Sequence, residues 1–250
     1  MKLTAEEFLA QPKKAITLMG MSGVGKSYTA SKLAEWGWTN FSCDYVIGTK
    51  YLQHLIADSH DMSEDDISWL SDFVGRLGAL RDGGLPLEKF QKRQKLYYEA
   101  EVDVVRDAVD AVSLAARDVV IDSSGSLCEI EDEDALEALG QKTVFVYLKV
   151  RQQGHAKILE RASTYPKPLY FPPSFLQERL ARYLEKFDLS GVGEIDPDEF
   201  LRWIFPHLFE ARLPKYQALA EKYGVVVPSH EVDLSSKDAF IQCIAKALDG

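Results

Sequence analysis

The segment Gly20-Met21-Ser22-Gly23-Val24-Gly25-Lys26-Ser27 constrains this chain more than any other. It fits the spacing G-x-x-x-x-G-K-[ST] of the phosphate-binding P-loop. Its glycines permit backbone angles at which successive N–H groups converge on one anion. The spacing carries weight when a buried strand precedes it and a helix follows. Both are legible here: Ala15-Ile16-Thr17-Leu18-Met19 is a β-rich apolar run, and Ser27 to Trp36 has a helical pattern. A helix starting at that point aims the positive end of its dipole at the same anion. Lys26 would then reach the β- and γ-phosphates of a nucleotide, and the Ser27 hydroxyl would ligate Mg²⁺. Gly20, Met21, Ser22, Gly23, Val24, Gly25, Lys26 and Ser27 are the expected nucleotide-binding residues, with ATP and Mg²⁺ as the expected cofactors. The alternative is a glycine-rich turn that binds nothing.

Further β-rich runs lie at Asn40 to Asp44, Asp118 to Asp122, Thr143 to Leu148 and Val225 to Val227. Continuous apolar runs, rather than alternation, indicate strands covered on both faces, as in a parallel sheet. Their alternation with helical stretches gives an α/β class: a three-layer P-loop fold with a central parallel sheet and large helical insertions. One domain over residues 1–250 is expected. One insertion, residues 45–117, holds an acidic patch (Asp58, Asp61, Glu64, Asp65, Asp66) and a helix from Leu87 to Ala116. The other, residues 154–213, is punctuated by Pro166, Pro168, Pro172 and Pro173. Ser235-Ser236-Lys237-Asp238 reads as a capping box, serine and acid three apart, opening a last helix with Phe240, Ile244 and Leu248 on one face.

Composition narrows the partners. The 39 acidic residues outnumber the 29 Lys and Arg, a net charge of −10 that argues against a surface built to neutralise nucleic-acid phosphates. A hydrophobic share of 46% is enough for a packed core. No apolar run approaches the roughly 18 residues of a membrane span, so no membrane is expected. Residues Met1 to Glu7 lack the basic-then-apolar order of a secretory signal. Three scattered cysteines, Cys43, Cys128 and Cys243, fit neither a zinc pattern nor a disulfide framework, which points to a reducing cytoplasm.

Two acids complete the candidate site. Asp122 ends the run Val119-Val120-Ile121, where it is placed either for the Mg²⁺ shell or as the first residue of the Asp122-Ser123-Ser124-Gly125-Ser126 turn. Asp44 follows the second strand, where its position by itself reads as a turn or cap acid.

Several blocks together resemble shikimate kinase and related small-molecule kinases of the nucleoside-monophosphate-kinase type. They are Ile16 to Ser27, Lys32-Leu33-Ala34, and Phe41-Ser42-Cys43-Asp44 in place of the family's F-x-D-x-D. Asp44 falls on the second acid of that motif, the one that contacts the substrate hydroxyl in the family, so the resemblance implies a base for an acceptor hydroxyl; Ser42 replaces the first, a metal-shell residue. Lys167-Pro168-Leu169 is similar to the lid R-P-L, with Arg161 as another lid candidate for the nucleotide. Arg212-Leu213-Pro214-Lys215-Tyr216 is similar to the closing R-x-P-x-Y, whose Arg holds the substrate carboxylate in the family. Ser123-Ser124-Gly125 stands where the family has three glycines of a substrate loop, and Phe90-Gln91 where it has F-R. The two insertions fall outside the resemblance. What it implies is transfer of the ATP γ-phosphate to a hydroxyl of a small, anionic metabolite. Lys26 and Asp44 would be catalytic, Asp44, Gly125 and Arg212 would bind the substrate, and Ser27 and Asp122 the metal. Residues 45–117 would serve acceptor binding and residues 154–213 would be an enlarged lid. The altered acceptor motifs and long helical insertions leave a second reading open, a regulatory ATPase or nucleotide-dependent switch with a protein partner.

Other features read blandly. Asp188 to Glu199 matches an EF-hand loop only in part, because Val192 supplies no side-chain oxygen at its fifth position, and a turn before a capped helix is the simpler reading. No pair among His54, His60, His155, His207 and His230 has metal-ligand spacing. The acidic run Glu129 to Asp134 reads as a solvated helix start.

Overall fold

A computed structural model describes residues 3–55 and 68–250, with Ser68 by its backbone alone. The acidic patch at Asp58 to Asp66 and His60 lie outside the described residues. The elements in chain order are α1 (Ala5–Ala10), β1 (Ala15–Met19), α2 (Lys26–Glu35), β2 (Thr39–Ser42), α3 (Cys43–Val46), α4 (Ser68–Val74), α5 (Leu87–Leu114), β3 (Val119–Asp122), α6 (Glu133–Lys142), β4 (Val144–Lys149), α7 (Gln152–Thr164), α8 (Pro173–Lys186), α9 (Pro197–Tyr223), β5 (Gly224–Pro228) and α10 (Lys237–Asp249). Among the described residues no helix is long and apolar enough to cross a membrane.

The five strands form one sheet in the order β2-β3-β1-β4-β5, every pair parallel. All five residues of β1 are buried, as are the first five of β4, which is why these strands read as continuous apolar runs. β1 lies between β3 and β4, and the chain crosses to opposite sides of it in successive excursions. The carboxyl end of β1 is therefore a switch point in strand order, where open α/β sheets take their ligands. The register aligns Leu18 with Asp122 and Asp122 with Ser42, so the carboxyl ends of β1, β3 and β2 stand side by side.

The chain divides into two compact units. The first comprises Met1–Asp44, Glu101–His155 and Arg212–Gly250 and holds the sheet. Its core joins Ile16, Leu18, Val120, Val144, Val146 and Leu148 of the strands to Phe8, Leu33, Phe240 and Ile244 of α1, α2 and α10. Trp38 meets Phe240 edge-on at 6.2 Å. The second comprises Tyr45–Ala100 and Ala156–Ala211. Its core gathers Phe90, Phe171, Leu176, Tyr183, Ile195, Phe200 and Ile204. There Gly48 lies against the Trp69 indole so closely that a Cβ would overlap the ring, a close approach that only glycine allows. In the EF-hand-like segment, Asp196 Oδ1 accepts from the N–H groups of Asp198 and Glu199 at 2.9 and 3.0 Å and so caps α9, while Glu199 pairs with Arg202.

Several features differ from the sequence expectation. β2 stops at Ser42, because its partner β3 ends at Asp122 and no further backbone is available to pair with. Cys43 and Asp44 open α3 instead. The cap of α10 is Ser236, whose Oγ accepts from Ala239 N at 3.1 Å; the amide of Ser235 is taken by Asp233. The run at Glu129–Asp134 is not a uniformly solvated helix start: Asp132 caps α6, whereas Glu129 is buried.

Candidate functional site

The site is built at the carboxyl edge of the sheet in the first unit. β1 ends at Met19, and Gly20 enters the turn at φ 143°, with a hypothetical Cβ only 3.1 Å from the Leu148 carbonyl oxygen. Gly25, at φ 101°, is the left-handed residue from which α2 starts. A side chain at either position would force a strained backbone, so glycine is required there for the loop to fold back and meet the helix axis. α2 begins at Lys26, one residue earlier than expected, and Ser27 lies in its first turn. Val24 packs on the core of the unit, and Ser22 and Gly23 are exposed at the tip. Lys26 is buried and donates to the Gly20 carbonyl at 2.9 Å, which holds its ammonium within the loop's own curve.

Asp122 sits beside this lysine. It is buried, and its Oδ1 has no hydrogen-bond partner among the described residues. Burial raises its carboxyl above the ordinary value, against the pull of the Lys26 charge and of a hydrogen bond with Ser27. An orphaned carboxylate oxygen next to a serine hydroxyl at a phosphate loop fits Mg²⁺, a hard cation bound through one or two carboxylates plus phosphate oxygens and waters. Ser27 and Asp122 are thus the residues that could hold it.

Asp44 lies at the start of α3, just past the end of β2. Burial pushes its carboxyl up to about 6; the Lys26 charge works downward and the Asp122 charge upward. The register of β2 and β3 accounts for this proximity, because Ser42 is aligned with Asp122 and Asp44 follows two residues on.

The loop after β3 is clamped at every residue. Ser123 donates to Leu18 O at 2.7 Å. Ser124 and Ser126 both donate to Glu101 Oε1, the latter at 2.7 Å. The Gly125 carbonyl accepts from Arg212 Nη1 at 2.9 Å and from the Tyr216 hydroxyl at 2.6 Å. Arg212, Lys215 and Tyr216 share one face of α9 by their three- and four-residue spacing. Tyr216 stacks on Tyr147 of β4 at 5.2 Å and reaches toward Met21 Sδ of the phosphate loop at 3.8 Å.

Arg212 is 1% exposed, and its Nε donates to Glu129 Oε1 at 2.9 Å. Lys215 meets the other oxygen of the same carboxylate. The carboxylate in the Arg212 fork is therefore the chain's own. Arg161 and Lys167 belong to the second unit, and both are exposed.

Two residues escaped the sequence reading. Glu101 is 1% exposed, and its Oε2 has no partner among the described residues. Burial pushes it up to about 7, opposed by Ser124, Ser126 and the Arg212 charge and reinforced by Asp44. Its signal was available: Glu101 lies in the apolar stripe Glu101, Val104, Val105, Ala108, Val112 of α5, where a carboxylate has no packing reason to be. Glu129, between Cys128 and Ile130, was hidden by the acids that follow it.

Fold and loop together define a P-loop α/β protein in which the carboxyl groups of Asp44 and Asp122 interact with Lys26 of the phosphate loop, and Glu101 interacts with Asp44. No protein-family model and no curated protein matches the sequence. Among solved structures, the chain is similar to a shikimate kinase from Acinetobacter baumannii in complex with shikimate, at 16% identity and TM-score 0.43, covering 96% of this chain and 92% of that one. It is also similar to a shikimate kinase from Bacteroides thetaiotaomicron, at 14% identity and TM-score 0.42 over 93% and 95%. A gluconokinase from Sinorhizobium meliloti 1021 matches at 15% identity and TM-score 0.31 over 84% and 94%.

Proposed function

We propose that this protein is an ATP-dependent phosphotransferase that moves the γ-phosphoryl group to a hydroxyl of a small molecule. The observation that carries the reading is the grouping of Lys26, the unpartnered Asp122 oxygen and the elevated Asp44 carboxyl at one end of three adjacent strands. Phosphoryl transfer asks for positioned cations and an oriented hydroxyl rather than covalent catalysis.

The loop N–H groups and the α2 dipole receive the phosphates. Lys26 exchanges its Gly20 carbonyl for phosphate oxygens. Ser27 and Asp122 would hold a magnesium ion, which would supply neutralisation of phosphate charge. Asp44 accepts the proton of the acceptor hydroxyl as the hydroxyl oxygen bonds to the γ-phosphorus. The bond to the β,γ-bridging oxygen breaks and ADP leaves with that electron pair. Gly125 acts through its loop, whose carbonyl is anchored by Arg212 and Tyr216. Arg161 and Lys167 keep, on the resemblance alone, the role of lid cations for the nucleotide, and the acceptor and lid roles of residues 45–117 and 154–213 rest on the same ground.

The test is transfer of labelled γ-phosphate from ATP to an acceptor panel, by wild type and Asp44→Asn. Labelled organic phosphate formed by wild type and lost in the variant supports the reading. Hydrolysis to inorganic phosphate alone, together with a stable protein partner, supports the switch instead.

A further inference from the structure

We propose that the acceptor is an alcohol rich in hydrogen-bond donors and free of carboxylate, a polyol or an amino alcohol, because Arg212 is already held by Glu129 while Glu101 keeps a buried oxygen without a donor beside the Ser124–Ser126 loop. The inference rests on the phosphotransferase reading and names its substrate class.

The argument is one of charge within the first unit. Its buried cations among the described residues are Lys14, Lys26 and Arg212. Lys14 donates to the carbonyls of Leu9 and Gln11, at the opposite, amino end of β1. Lys26 belongs to the phosphates. Arg212 gives Nε to Glu129 and Nη1 to Gly125 O, and Lys215 reinforces Glu129 from the other side. Taking Arg212 for a ligand carboxylate would leave Glu129, 5% exposed, with Lys215 alone and beside a second anion. Against these stand Asp44, Asp122 and Glu101. Once Asp122 serves the metal, Asp44 and Glu101 remain, and once deprotonated, Asp44 above about pH 6 and Glu101 above about pH 7, both only accept hydrogen bonds. Above about pH 7 an incoming carboxylate would meet two like charges in a poorly hydrated place. A hydroxyl or ammonium group would give the Glu101 oxygen the donor it lacks.

The experiment is phosphoryl transfer from ATP at pH 8, where Glu101 is ionised, to matched pairs: sugar alcohols against their aldonates, and amino alcohols against the corresponding hydroxy acids. In whichever pairs react, the carboxylate-free member should show at least a tenfold higher kcat/KM. Glu129→Gln, which releases Arg212, should narrow that ratio; if it does not fold, the wild-type ratios decide alone. Equal use of both members, or preference for the acids, overturns the acceptor assignment and leaves the phosphotransferase reading standing. ATP bound but no pair phosphorylated overturns the phosphotransferase reading and takes the acceptor assignment with it.

Discussion

Replacing Glu101 by Gln tests the electrostatics of the site without relying on its activity. Glu101 is buried, its carboxyl is pushed up to about 7 from an ordinary 4.5, and the groups facing it are Ser124, Ser126, Arg212 and Asp44. The unfolded chain loses this proton near the ordinary value, whereas the folded chain keeps it until about pH 7. Between those limits the folded state binds more protons than the unfolded one, so stability falls as pH rises. A shift of this size corresponds to roughly 3 kcal/mol at about 1.4 kcal/mol per pH unit. About three-quarters of it falls between pH 5 and pH 8, so wild type should lose about 2–3 kcal/mol relative to Glu101→Gln over that interval. Gln keeps an oxygen for the two serine hydroxyls but places an amide nitrogen where Oε2 was. That cost is the same at both pH values and cancels in the difference. The assay is urea unfolding of both proteins at pH 5 and pH 8, analysed at equal m-value. A stability gap that does not change between the two pH values would refute the assignment of Glu101 as a buried, proton-holding acid.

Three further outcomes are expected. A base works only when deprotonated, so kcat/KM should be full above the Asp44 value of about 6 and fall tenfold per pH unit below it, a limb that Asp44→Asn removes along with at least about 100-fold of the rate. Glu129→Ala leaves Arg212 buried without its carboxylate and should cost about 3–5 kcal/mol in chemical denaturation, much of it recovered in the apolar pair Glu129→Leu with Arg212→Met. Asp122→Asn should raise the Mg²⁺ concentration for half-maximal ATP turnover at least about tenfold, read by metal titration at fixed ATP.

The sheet was legible because its strands are buried on both faces and the apolar runs mark them directly. The phosphate loop was legible because its glycines answer to backbone geometry, which the residue type alone reveals. The register was not legible, and register is what brings Asp44 and Asp122 into one electrostatic group through the Ser42–Asp122 alignment. Nor was the end of β2, which depends on where β3 stops. Arg212 shows why a motif gives a residue and not its partner: its planar fork suits any carboxylate, and the nearest in space, Glu129, lies 83 residues away in sequence. Glu101 could have been found by asking which acid interrupts the apolar stripe of α5; its link to the Ser124–Ser126 loop needed the fold.

The most direct measurement is calorimetric titration of the folded protein with ATP, with and without Mg²⁺, alongside Lys26→Ala. Saturable binding at one site per chain, tightened by the metal and lost in the variant, is the outcome this structure leads us to expect. Folded wild-type protein that takes up no nucleotide in the presence of Mg²⁺, or a Lys26→Ala protein that binds as tightly as wild type, would contradict it.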